Sequence, residues 1–213
     1  MNAKQKLMKT RSILTALGLA TLLAGAANAS QEQLATSMKE ARLEAGRTRD
    51  QLATTLAALT TLTKQQKGDL RPAYEAFTAE VAKTEAAAAT TRTRAAWMQG
   101  DGLKYFEDWQ TTVSSINNES LRKKSQKRLD AVKKSYAKVT TEFKEAAEKS
   151  KPFLADLSDI QKVLSTDLTA SGVKGLRSTV SSANWNYKNV NRTINSALEE
   201  MKEMEKSLSP EAK

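Results

Sequence analysis

Apolar and small residues recur along most of this chain at alternating spacings of four and three, the a/d repeat of packed helices. The first run reads Leu34, Met38, Ala41, Ala45, Thr48, Leu52, Thr55, Leu59 and Leu62. Ser30 precedes it as an N-cap and Gly68 ends it. A second run starts at Leu70, with Pro72 accommodated in the first turn, and continues through Tyr74, Phe77, Val81, Thr84, Ala88, Thr91, Ala95 and Met98. Its register carries on across Gly100-Asp101-Gly102 to Tyr105 and Trp109, although the glycines predict a local break or hinge. The third run follows the capping pair Asn117-Asn118: Ser125, Leu129, Val132, Tyr136, Val139, Phe143, Ala146, Ser150, Phe153, Leu157, Ile160 and Leu164. The fourth opens after Ser171-Gly172 with Val173, Leu176, Val180, Ala183, Tyr187, Val190, Ile194, Ala197, Met201, Met204 and Leu208, and Ser209-Pro210 stops it.

Four such stripes joined by short connections predict an all-α fold, an elongated antiparallel bundle of four long heptad-patterned helices. At ~1.5 Å per residue the first and fourth helices come to roughly 55 Å, and the second and third to roughly 70–75 Å. Packed side by side, they leave the helix 2/helix 3 hairpin overhanging by about 15 Å, over approximately Gly100 to Arg128. Pro152 is expected to kink the third helix, since it removes a donor and clashes with the preceding turn. The Ala86–Ala89 run has no bulk and would let a neighbouring backbone come close.

The N-terminus has the layout of a secretory signal. Lys4, Lys6, Lys9 and Arg11 precede an apolar stretch from Ile13 to Leu23, and Ala27-Asn28-Ala29 supplies the small residues a signal peptidase accepts. That stretch is too short for a membrane span, which needs roughly 20 apolar residues. The expected organisation is a cleaved signal over 1–29, one helical domain over 30–208 and a disordered tail over 209–213, exported to the periplasm or secreted. Loss of the leader's four basic residues lowers the formal charge from +10 to +6. The chain has no cysteine, so packing has to hold the fold without disulfides in an oxidising compartment.

Charge then sharpens one region. Residues 119–151 hold 11 basic and 5 acidic side chains, a net +6 that equals that of the chain without its leader. Near the overhanging turn, Arg122, Lys123, Lys124, Lys127 and Arg128 stand close to Tyr105, Phe106 and Trp109. Local charge of one sign beside amphipathic aromatics suits contact with an anionic membrane surface or envelope polymer. The same residues also fit a solvated cationic face and a heptad core, since Tyr105 and Trp109 fall on the seam and Phe106 beside it.

Several chemistries are excluded. With no histidine and no cysteine, the chain cannot form Ser-His-Asp triads, Cys-His nucleophiles, the common zinc sites or Glu-x-x-His di-iron sites. Gly172-x-x-Gly175 is too short for a phosphate loop and lacks its lysine–hydroxyl pair. No catalytic, cofactor-binding or metal site is expected, and the chain reads as a non-enzyme.

From about Leu34 to Met204 the chain resembles a bacterial family known as a domain of unknown function, the 2959 family. The resemblance rests on Tyr105-Phe106-Glu107-Asp108-Trp109, then Ile116-Asn117-Asn118-Glu119-Ser120-Leu121-Arg122, Leu129 to Tyr136, Lys151-Pro152-Phe153-Leu154, and Leu164 to Leu176. It implies an exported helical protein and carries over no activity or catalytic residue. The leading expectation is an exported, non-enzymatic helical scaffold or interaction protein that self-associates or holds a protein partner. The alternatives are a peripheral binder of anionic lipid or envelope polymer through the basic hairpin, and a periplasmic holdase chaperone. Nucleic acid is not an expected partner, because export separates the protein from it.

Overall fold

Among the described residues five helices follow in chain order: α1 (Ala3–Lys64), α2 (Arg71–Ser114), α3 (Glu119–Thr166), the short α4 (Ala170–Gly175) and α5 (Arg177–Leu208). The computed structural model describes the backbone of residues 3–65 and 67–208, and the side chains of residues 28–65 and 67–208. Within those residues there is no strand. The side chains of residues 1–27, within the expected signal, and all of 209–213, the expected tail, lie outside them.

Local chemistry explains most of the boundaries. After Lys64 the chain reverses through Gly68, whose φ of 86° is the left-handed conformation that glycine adopts without a Cβ penalty. Pro72 then sits in the first turn of α2, where a missing N–H costs nothing. At the next turn the Asn118 side chain accepts from the Leu121 amide at 3.1 Å and caps α3. Thr169 does the same for α4 by accepting from the Gly172 amide at 3.0 Å.

Three expectations need correction. Ser30 does not start the first helix: α1 runs unbroken through it from Ala3. The fourth helix begins at Ala170, before Ser171-Gly172, because Thr169 caps it, and it is divided at Leu176 into α4 and α5. Gly100-Asp101-Gly102 does not interrupt α2, since two isolated glycines cost a helix only about 1 kcal/mol each, far less than packing of its flanks returns. α3 runs as one helix through Pro152, which lies on its exposed side.

The long helices form a closed ring in the order α1, α2, α3, α5. α1 is tied to α2 by hydroxyl pairs, Thr48–Thr91 at 2.8 Å and Thr55–Thr84 at 2.7 Å, and by Arg94–Glu40 at 2.7 Å. Thr55 also donates to the main-chain carbonyl of Glu80 at 3.0 Å, which requires the two backbones to lie close. α3 meets α5 through Lys138–Glu200, and Asp156 accepts from Ser182 at 2.9 Å and from Asn186 at 2.7 Å. α5 is joined to α1 by the two-pronged Arg42–Glu205 ion pair at 2.7 and 3.1 Å.

The apolar stripes point inward as their spacing predicts. All nine positions of the first run are buried, and so are nine of the eleven in the fourth. The core is nevertheless two clusters. One surrounds Phe77 and Phe153 near the α1–α2 turn; the other surrounds Met98, Tyr136 and Met201 toward the α2–α3 turn.

Candidate functional site

Between the two clusters the seam changes character. On α2 the positions Ala88, Thr91 and Ala95 fall in the inward stripe, and on α3 so do Phe143, Ala146 and Ser150. All six are only half-buried, although their stripes are buried on both sides of them. Five of the six are small, so facing side chains cannot meet across the space that separates α2 from α3. The result is a cleft of about 670 Å³, floored by Ala45, Thr48, Leu52, Ile194 and Ala197 of α1 and α5. Its volume falls within the roughly 300–1,000 Å³ of small-molecule sites.

Hydrogen bonding marks the same opening. α2 and α3 are bridged where the Tyr74 hydroxyl donates to the Gln161 carbonyl at 3.2 Å, and again where Tyr136 donates to the Met98 carbonyl at 2.8 Å. Beyond the second bridge Gln110 and Gln126 pair at 3.0 Å. Among the described residues no hydrogen bond or ion pair joins the two helices between Tyr74–Gln161 and Met98–Tyr136. The cleft occupies that interval.

The wall is apolar despite its hydroxyls. Thr48 and Thr91 bond to each other, and Thr84 bonds to Thr55. Thr140 and Thr141 turn back to the Ala137 carbonyl, and Ser150 to that of Ala147. With those groups satisfied inside the protein, what faces the cleft is methyl and methylene surface. Ala88 lines the cleft, and the close approach is with α1 at the flanking Thr84 and Thr91. No acidic residue lines the cleft, and two cations do, Arg92 from α2 and Lys144 from α3.

The hairpin tip is arranged differently from its sequence picture. Tyr105 and Phe106 are 5 % and 8 % exposed, and Trp109 is half-buried. The three rings stack along α2, with centroids 5.1 and 5.5 Å apart, and Phe106 meets Tyr136 edge-on at 5.2 Å. Burial pushes the Tyr105 hydroxyl up to about 12, partly offset by the Arg128 cation. Arg122, Lys123, Lys124, Lys127 and Arg128 are exposed, with Lys123 paired to Glu119 at 2.7 Å. The aromatics therefore belong to the core and the cations to the surface, with Arg128 acting on Tyr105 and Lys133 lying over the Phe106 ring. Leu103 and Leu121, 75 % and 56 % exposed, are apolar side chains that do face solvent along the hairpin. Sequence reasoning missed the cleft itself, although the run of small residues at inward positions of α2 and α3 is its signal.

A family model described as a protein of unknown function (DUF2959) matches residues 25–208. The chain belongs to the DUF2959 family. Every element of the ring from residue 25 onward lies within the matched span, so the cleft is built wholly from the family domain. No curated protein and no solved structure matches the chain. Among the described residues of this DUF2959 chain there is no cluster of metal-ligating side chains, and no helix is long and apolar enough to cross a membrane.

Proposed function

We propose that this protein is an exported, non-enzymatic binding protein that takes an apolar chain into the cleft between α2 and α3. The observation that carries the reading is the row of half-buried small residues, Ala88, Thr91, Ala95, Ala146 and Ser150, at positions the heptad pattern reserves for core. Apolar wall left facing water is unfavourable, by about 25 cal/mol for each Å² exposed. A ligand that fills the space recovers that loss, and hydrocarbon suits a wall whose hydroxyls are already bonded. The cleft spans Thr84 to Leu103 on α2 and Tyr136 to Leu154 on α3. At ~1.5 Å per residue this is about 27 Å, longer than the ~15 Å of one leaflet of a bilayer's hydrocarbon core.

The inward-facing aromatics favour the cleft over the hairpin tip as the binding element, because the tip keeps its cations at the surface while its aromatic rings are buried or half-buried. Export fits the leader-like N-terminus, and a carrier of apolar chains fits an envelope compartment.

Titration with the fluorescent probe N-phenyl-1-naphthylamine tests the reading. Wild-type protein should show saturable enhancement, and Ala95→Leu with Ala146→Leu, which fill the cleft from both walls, should abolish it while the helical circular dichroism is kept. Equal enhancement in the filled variant would sink the idea.

A further inference from the structure

The two cations at the cleft say what kind of apolar ligand it takes. Arg92 and Lys144 are both exposed, and neither makes an ion pair or hydrogen bond among the described residues. Their neighbours differ: Arg94 pairs with Glu40, Lys138 with Glu200 and Lys149 with Glu145. The Tyr74–Gln161, Met98–Tyr136 and Gln110–Gln126 bridges set the antiparallel register of α2 against α3. Carried along the helices, that register brings Arg92 level with Phe143 and Lys144. The two cations therefore stand on opposite lips of the cleft at one height, near its middle, with no carboxylate among the lining residues.

Resting on the cleft reading above, we infer that the ligand is a fatty carboxylate, its head group held between Arg92 and Lys144 and its chain laid along the cleft. A guanidinium presents a planar fork that matches a carboxylate in two-pronged geometry, and the ammonium opposite supplies a second donor and charge. From mid-cleft to either end is about 12–16 Å of helix, by ~1.5 Å per residue, close to the ~15 Å occupied by one acyl chain in a bilayer leaflet. The exposed lips leave the head group in contact with water while the chain is covered. Leu103, 75 % exposed at one end of the cleft, adds apolar surface that a chain would shield.

The test is competition by laurate and by dodecanol, which share a chain length, against protein-bound N-phenyl-1-naphthylamine. Wild type should prefer laurate by roughly tenfold, the sum of two exposed charge contacts. In Arg92→Gln/Lys144→Gln that preference should collapse to near unity, and in wild type it should shrink at high salt. Equal displacement by both ligands in wild type, or a preference that survives the double substitution, overturns the head-group assignment and leaves the apolar cleft standing. Failure of both ligands to displace the probe overturns the carboxylate ligand. Failure of the probe itself to bind overturns the cleft reading as well.

Discussion

At the scale of single residues, two glycines about half a turn apart illustrate how little composition says about role. A Cβ at Gly102 would lie 2.3 Å from the Tyr136 hydroxyl and 2.4 Å from its ring, so α2 and α3 can share the Tyr136–Met98 hydrogen bond only if position 102 is bare. Gly102→Ala should therefore destabilise the fold by roughly 2 kcal/mol, through overpacking and a strained hydrogen bond. A Cβ at Gly100 meets nothing within 4 Å. Gly100→Ala should stabilise by about 0.5–1 kcal/mol, the ordinary gain of alanine over glycine in a helix. Urea unfolding of the pair checks both signs. Tyr105 supplies a pH dependence. Its hydroxyl titrates at about 12 in the folded protein, against ~10 in the unfolded chain. The unfolded state thus releases its proton first, and stability falls as pH rises from about 10 to 12. Burial raises the Tyr136 hydroxyl further still, so it contributes to the same limb. Tyr105→Phe should make that limb shallower without removing it, measured as Tm against pH, and an unchanged slope would assign it elsewhere.

At the scale of elements, the decisive feature is a seam whose side chains change size halfway along. The period places Ala88, Thr91 and Ala95 on the same stripe as Phe77, Val81 and Met98. Their small volumes leave that stripe unable to reach α3, whose own facing positions are Ala146 and Ser150. Stability and binding should then pull in opposite directions. Ala95→Leu is expected to raise stability by about 1–2 kcal/mol, by burying methylenes in empty space, as it removes probe binding. Thermal melts run beside the titration would show the two effects in one variant. The hairpin region illustrates the converse. Tyr105, Phe106 and Trp109 gain more from packing on Tyr136 and on one another than from facing solvent, and the helix turns them inward.

At the scale of the whole molecule, α2 and α3 are bridged by hydrogen bonds at the two ends of the cleft. The end clusters therefore carry the fold. Val139 is fully buried in the cluster toward the hairpin, and Val139→Asp should unfold at least that end, because a carboxylate there has no partner to offset its desolvation. Loss of helical circular dichroism reports it. The cationic tip contributes little to this frame. Reversing Lys123, Lys124, Lys127 and Arg128 to Glu should change stability by only about 1–2 kcal/mol, since exposed positions each shift it by about 0.5 kcal/mol or less. Displacement of the probe by laurate should persist in that variant, and sedimentation with anionic vesicles would report separately whether the tip has an affinity of its own.

The spacing of apolar residues was sufficient to determine the helices, their inward faces, their antiparallel order and the caps at Asn118 and Gly68, because helical period and turn chemistry are local properties. Local propensity could not settle whether two glycines break α2 or whether Phe106 faces water. Those outcomes depend on Tyr136, thirty-odd residues away in α3. The cleft lies furthest from local reach. A row of alanines and hydroxyls at core positions is compatible with a close crossing or with a gap. Only the tertiary arrangement, in which α1 takes up the contact with α2 and the end clusters hold α3 away, decides for the gap and sets Arg92 and Lys144 on either side of it.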